Sequence, residues 1–282
     1  MNKLWFVTGA GGGLGAAISL AALRNGDQVV ASDLDLDAVT ERFAEFGERV
    51  LPLRLDVTVE QESQAAAAAA IERFGRIDVL VNNAGYGHFG IFEETDDRDA
   101  QRQFGVNVFG LLNVTRSILP QMRAQRSGHI FNLSALGGFI GYPILSLYSA
   151  SKFAVEGFSE SLALEVAPFG IQVTIVAPGL VRTNFLDERS RQQAPHRIAD
   201  YADAAEQMNR FIAENNHQQT GDPDRLGNAL VRLASLEQAP LRFLAGSDAY
   251  AQASAKVDRM RAEFTGWADL SASIDGTAQG RA

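Results

Sequence analysis

The amino-acid sequence predicts a parallel, doubly wound α/β sheet with helices on both faces. Three observations carry this. Short apolar runs alternate with longer segments of helical period along the chain. Most of those runs are continuously apolar, as strands are when helices cover both sides of a sheet. The first run opens into a glycine cluster followed directly by a helical pattern, the start of a βα unit.

In chain order, strands are expected at 4–8, 28–32, 50–55, 79–81, 129–133, 172–177 and 242–244. Helices are expected between them at 14–25, 35–46, 60–74, 98–125, 147–168 and 223–236. The alanine run 65–70 reads as plain helix, alanine being the best helix former. No repeat or composition break divides the chain, so one domain spanning 1–282 is expected. Two stretches depart from the pattern. Residues 184–220 are polar and helix-prone, with apolar points at Phe185, Leu186, Ile198, Tyr201, Met208 and Phe211. Their place between two elements of the sheet layer suggests a substrate-covering lid, the alternative being a plain surface insertion. After Gly246 a helical extension is expected over about 247–282, patterned to Trp267 and then polar and loose.

Bulk properties exclude several function classes. The formal net charge is −9, which argues against nucleic acid and anionic membrane surfaces as partners. With no cysteine, disulfides, thiolate metal sites and cysteine nucleophiles are out. The four histidines show no metal-ligand spacing, and no metal is proposed. No apolar run approaches the ~20 residues that cross a bilayer. The first seven residues lead straight into the glycine turn without the apolar stretch of a signal peptide, so a cytoplasmic location is expected.

The glycine turn reads Thr8-Gly9-Ala10-Gly11-Gly12-Gly13-Leu14-Gly15. Glycine lets backbone N–H groups approach a pyrophosphate, and the following helix N-terminus adds a partial positive charge. At the end of the second strand, Asp33 stands where a carboxylate reaches the adenosine ribose hydroxyls and repels a 2′-phosphate. Neither Leu34 after it nor Gly12 in the turn offers a cation to such a phosphate, which favours NAD over NADP. A helix cap is the plainer role for Asp33.

The spacing Gly9, Gly13, Gly15 differs from the usual dinucleotide fingerprint and resembles the short-chain dehydrogenase/reductase family. Four further motifs stand in that family's order: Asp56-Val57, Asn82-Asn83-Ala84-Gly85, Tyr148-Ser149-Ala150-Ser151-Lys152 and Pro178-Gly179-Leu180-Val181-Arg182-Thr183. The likeness covers roughly residues 4–245. Within the family, residues 155–165 and the tail beyond Gly246 loosely resemble bacterial members similar to 17β-hydroxysteroid and retinol dehydrogenases, a likeness that does not fix the substrate. The resemblance implies that Asp56 and Val57 contact adenine, that Asn83, Ala84 and Gly85 line the cofactor cleft, and that Val181 and Thr183, after Pro178 and Gly179, hold the nicotinamide carboxamide.

Tyr148 and Lys152 are four apart on a helix and share a face. Free tyrosine, with a pKa of ~10, is a poor base at neutral pH. A neighbouring ammonium and the positive nicotinamide ring are expected to lower that value. Tyr148 then takes the proton of an alcohol as hydride leaves, and returns it in the reverse direction. By resemblance, Lys152 also reaches the nicotinamide ribose. Asn107, in Phe104-Gly105-Val106-Asn107-Val108, matches an asparagine supporting a water-mediated proton path.

One family position departs. A serine is expected thirteen residues before the tyrosine, and Ala135 stands there. Ser134 is one residue early and, at a strand end, is expected to face away. Three readings of Ala135 stand side by side. It is an introduced substitution that disables catalysis; it is natural, with Ser134 or Ser146 compensating; or the chain is a weak enzyme or an NAD(H)-binding sensor.

The expected substrate wall comprises Tyr86, His88, Phe89, Phe139, Tyr142, Ile144, Leu145 and Leu180, with Phe185 and Leu186 from the lid. It is apolar and aromatic, suiting a bulky secondary alcohol or ketone. His88 is its polar exception, with a solvent-exposed loop histidine as the alternative. The function expected is therefore an NAD-linked alcohol dehydrogenase or ketone reductase. Its rivals are a regulatory NAD(H)-binding protein with little turnover and an NADP-linked reductase. The helices at 98–125 and 147–168 pair subunits in members of the family, which implies a homodimer or homotetramer.

Overall fold

The computed structural model describes residues 2–187 and 191–275. All seven expected strands form: β1 (Leu4–Thr8), β2 (Gln28–Asp33), β3 (Val50–Arg54), β4 (Val79–Asn82), β6 (Gly128–Leu133), β7 (Ile171–Pro178) and β9 (Arg242–Ala245). They make one parallel sheet in the order β3-β2-β1-β4-β6-β7-β9. The chain builds outward from β1 to β3, then crosses back to β4 on β1's other side. That reversal opens a crevice at the carboxyl ends of β1 and β4, where this architecture places its ligands.

Helices cover both faces. On one side lie α1 (Gly13–Arg24), α2 (Leu36–Phe43) and α8 (Pro223–Ala234); on the other lie α3 (Glu60–Phe74), α5 (Leu111–Gln125) and α6 (Ser146–Val166). Because strand side chains alternate, β1 feeds both layers: Trp5 and Val7 join Ile18, Phe43 and Leu230, while Leu4 and Phe6 join Leu80, Ile118, Met122 and Leu162. This explains the continuous apolar runs.

His129, on β6, lies buried in this core. Its Nε2 sits 2.9 Å from Thr174 Oγ1, whose hydroxyl donates to the Pro240 carbonyl. Burial pushes the imidazole down to about 3. The folded protein therefore holds it neutral, whereas the unfolded chain takes a proton near 6.5. Stability present above pH 6.5 is lost as the pH falls from there towards 3. Urea midpoints across this range should fall more steeply for the wild type than for His129→Gln.

Four features depart from expectation. The helix expected over 98–125 is broken into α4 (Asp97–Phe104), a π-type turn (Gly105–Gly110) and α5. Such turns recur at functional sites, and this one carries Asn107. Second, β5 (Gly87–Phe89) pairs in parallel with β8 (Arg191–Gln193), a three-residue ladder too short to leave a periodic signal. Third, among the described residues of the helix-prone stretch 184–220 only α7 (Ala202–Asn215) is α-helical, docked through Met208 and Ile212. Last, the tail after Trp267 is not loose throughout: α9 (Ser247–Gly266) is followed by α10 (Ala268–Ala272). The part of the expected extension beyond 275 lies outside the described residues. Among the described residues, no helix is long and apolar enough to cross a membrane.

Candidate active site

At the crevice, the end of β1 and the turn after β4 are bolted together. Thr8 Oγ1 accepts the N–H groups of Asn83 and Ala84, each at 3.0 Å, and Asn83 Nδ2 donates to the carbonyls of Thr8 and Gly9. Gly15 is forced by this packing: a Cβ there would run into the Gly9 carbonyl oxygen and the Asn83 amide. Gly9 and Gly13 have φ of +67° and +53°, a backbone region costly for other residues. Over Gly12 the space is open. The first turn of α1 carries no acidic residue, and no side chain caps it. Leu14 sits in that turn, against the core. These uncapped N–H groups facing open space fit a pyrophosphate.

Asp33 Oδ2 accepts the Gly11 N–H at 2.9 Å, and Oδ1 accepts that of Asp35. The helix-cap role belongs to Asp35, which accepts from Ala38 N. Leu34 is exposed. The sequence argument about cations overlooked Arg42, nine residues past Asp33. From α2 its Nε donates to the Gly11 carbonyl at 3.0 Å, placing a guanidinium beside the Asp33 loop. Asp56 spends Oδ1 on the N–H and hydroxyl of Thr58, so its carboxylate closes a turn. Val57 is buried against Gly110, and Asn113 holds its carbonyl.

Deeper in the crevice, α6 presents Tyr148 and Lys152, both buried at 8% and 7% exposure. Lys152 Nζ donates to the Leu133 carbonyl at 2.6 Å and lies 5.9 Å from the Tyr148 ring centre. The expected lowering of the Tyr148 pKa is not what the protein alone produces: burial pushes the phenol above its usual range. The reason is local. Phe185 packs 5.6 Å from the ring, Gly137 lies against its edge, and the lysine charge is tied to the backbone. Burial draws Lys152 down to about 8, opposed by the buried Glu156 one turn along. Carbonyl reduction that needs this ammonium should lose kcat/KM as the pH rises through about 8. Glu156→Gln should move that limb of the pH–rate profile to lower pH.

Asn107 binds its neighbours with its whole amide. Nδ2 donates to the Tyr86 carbonyl at 3.0 Å and to Ser151 Oγ at 3.3 Å, and Oδ1 accepts the Tyr86 N–H. Gln103, fully buried, backs the same group through Tyr86 and Ser151. Sequence reasoning missed Gln103; a lone polar residue in an amphipathic helix leaves no distinguishing signal.

Ala135 sits where β6 gives way to the Gly137-Gly138 turn beside Tyr148. Ser134 points elsewhere: a Cβ on Gly138 would strike its Oγ, and the Lys152 backbone lies on the same side. Ser134 Oγ donates weakly to the Ala135 carbonyl at 3.4 Å. Ser146 is exposed at the start of α6.

The chain from β7 closes the far side. Pro178 ends β7; Leu180, exposed, donates its N–H to Asp248, whose carboxylate fills the space beside Gly179. Val181 bridges to Gly221, and Thr183, which caps the turn at Phe185, lies across from Gly13. Of the expected substrate wall, Phe89, Ile144, Leu145, Phe185 and Leu186 come together with Met208 and Ile212 of α7. Four others have different neighbours. Tyr86 lies under Arg102, Phe139 under Arg242, Tyr142 donates to Gln252 of α9, and Leu180 turns to Asp248. His88 is neither exposed nor aimed at Tyr148. At 1% exposure its Nε2 lies 3.6 Å from Asp99 of α4, because strand neighbours alternate and Gly87 and Phe89 take the Phe185 side. Among the described residues no metal-ligand cluster forms.

This arrangement has known counterparts. The model of the short chain dehydrogenase family matches residues 3–194. The chain belongs to that family. The oxidoreductase BOA17 of Botryotinia fuckeliana is 39% identical over 272 residues, covering 96% of this chain and 98% of the fungal protein. A short-chain dehydrogenase from Streptomyces avermitilis superposes with a TM-score of 0.91 at 39% identity, over 98% of this chain and 100% of that one. A short-chain dehydrogenase/reductase from Burkholderia phymatum, solved in complex with NAD, gives a TM-score of 0.80 at 26% identity, over 100% of this chain and 98% of that one. In this short-chain dehydrogenase the β1–α1 turn, Asn107, Tyr148 and Lys152 therefore stand on the family's fold, with Ala135 near the end of β6.

Proposed function

We propose that this oxidoreductase interconverts a bulky apolar secondary alcohol and its ketone, using NAD(H). The observation that carries the reading is the buried Tyr148–Lys152 pair deep in a glycine-edged crevice fit for a dinucleotide. Gly9, Gly11, Gly12, Gly13 and Gly15 with the α1 N-terminus would hold the pyrophosphate, and Asp33 the adenosine ribose. A nicotinamide dinucleotide bound there supplies or accepts hydride at the substrate carbon. The chain's own part is the proton. Tyr148, neutral in the buried site, donates its phenolic proton to the carbonyl oxygen, and the Lys152 ammonium steadies the phenolate left behind. Phe89, Ile144, Leu145, Phe185 and Leu186 exclude water and suit an apolar substrate.

One observation favours a second reading. No hydroxyl stands at position 135, and Ser134 faces Gly138 rather than Tyr148. A dinucleotide-binding protein with little turnover fits that arrangement. Titrating the protein with NADH and NADPH by fluorescence, then assaying cyclic and steroid-like ketones at 340 nm, tests both. Tight NADH binding with turnover supports the enzyme; tight binding without turnover across the panel supports the sensor; no binding overturns both.

The cofactor preference has its own test. Asp33→Ala removes a charged acceptor from Gly11 N and is expected to weaken NADH about 10- to 100-fold. NADPH should lose less, because the repulsion of its 2′-phosphate disappears and Arg42 remains beside it. Equal losses for both would remove Asp33 from the ribose site.

A further inference from the structure

The C-terminal helix leaves the body of the protein. Only Ala249 and Ala253 of α9 are buried, and from Arg261 to Asp275 every residue is exposed. That stretch carries Phe264, Trp267, Leu270 and Ile274, with Trp267 62% and Ile274 83% exposed. A helix of this length is marginal in water without packing, and side chains of this kind left in solvent mark a contact surface. Residues 276–282 contain no large apolar side chain to cover it.

The spacing says what kind of partner fits. Past the buried Ala253, Val257, Met260, Phe264 and Trp267 follow one another at steps of three, four and three, with the exposed Tyr250 one heptad before Val257. This is the 3.5-residue seam with which one helix meets another, not the broader stripe that rests on a flat body. Beside it runs an open groove of about 310 Å³ between Phe139 and the α9 residues Val257, Met260, Arg261 and Phe264. The opposite face mixes Asp258, Arg259 and Asp269 without a basic excess, unlike helices that lie on anionic bilayers.

We propose that α9 pairs antiparallel with α9 of a second copy of this chain. The flanking charges decide the direction. In a parallel pair Lys256 would face the partner's Arg261, a like-charge contact made twice. Antiparallel, centred between Val257 and Met260, Lys256 meets the partner's Glu263, and symmetry makes that contact twice. The same register sets Val257 against the partner's Met260 and Tyr250 against the partner's Trp267.

Because the chain has no cysteine, cross-linking tests this cleanly. An oxidised mixture of Val257→Cys and Met260→Cys proteins should give a disulfide-linked dimer, while Val257→Cys alone should not. Sedimentation should show Phe264→Glu halving the mass of the assembly. Lys256→Glu or Glu263→Lys alone should weaken association about tenfold, and the double exchange should restore it. Cross-linking by Val257→Cys alone overturns the antiparallel register. Unchanged mass in Phe264→Glu, or an arm that responds only to phosphatidylglycerol vesicles, overturns the pairing with a second copy.

Discussion

Tyr148→Phe is expected to lower kcat by 10²–10⁴ while leaving NADH affinity within about twofold. The substitution removes only the phenolic oxygen. The ring's contacts with Phe185 and Gly137 remain, so the fold around it should not move. The glycine turn, Asp33 and the α1 N-terminus lie on other elements and bind the dinucleotide independently of that oxygen. Lys152→Met should differ in kind. It removes the charge that steadies the phenolate and also frees the Leu133 carbonyl, so activity falls together with local stability. A melting temperature measured alongside kcat separates the two variants. If Tyr148→Phe retained full turnover, proton transfer would have to come from elsewhere, and the buried pair would be a packing feature of α6.

How much of this was legible in the sequence depends on the range of the interactions. The seven strands and most helices read directly, since their signal is local: apolar runs whose side chains alternate between two core layers. The β1–α1 turn read equally well, because Gly9 and Gly15 answer to contacts repeated wherever such a turn packs against the β4 exit. What escaped depends on contacts distant in sequence. Arg42 reaches Gly11 across 31 residues. β5 finds β8 about a hundred residues later, and that pairing turns His88 away from Phe185. Ile144 holds φ at +66°, unusual for a β-branched residue. Its carbonyl accepts Gly90 N, tying the α6 approach to the end of β5. The wall residues that scattered, Tyr86, Phe139, Tyr142 and Leu180, were chosen for being apolar or aromatic near the right motifs. Those types also serve against Arg102, Arg242, α9 and Asp248, and composition cannot distinguish the two uses.

Ala135→Ser is expected to raise kcat by 10²–10³ with little change in cofactor affinity. The argument begins from position. Residue 135 stands two past the end of β6 and opens the turn whose Gly137 touches the Tyr148 ring, so a hydroxyl there is expected on the phenol's side of the site. Residue 135 is partly exposed, which leaves room for one added oxygen. One preorganised donor at a developing oxyanion contributes roughly 2.7–4 kcal/mol to the transition state, and little to a bound dinucleotide whose phosphates lie at α1. Ser134→Ala discriminates between the readings of this position. Its Oγ packs against Gly138 and the Lys152 backbone, so its loss should cost stability and little activity. If instead Ser134→Ala abolished turnover and Ala135→Ser changed nothing, the β6 end would have to rotate by one residue in the working enzyme. If both left the protein inactive while NADH still bound tightly, the chain would be a reader of the nicotinamide pool rather than a catalyst.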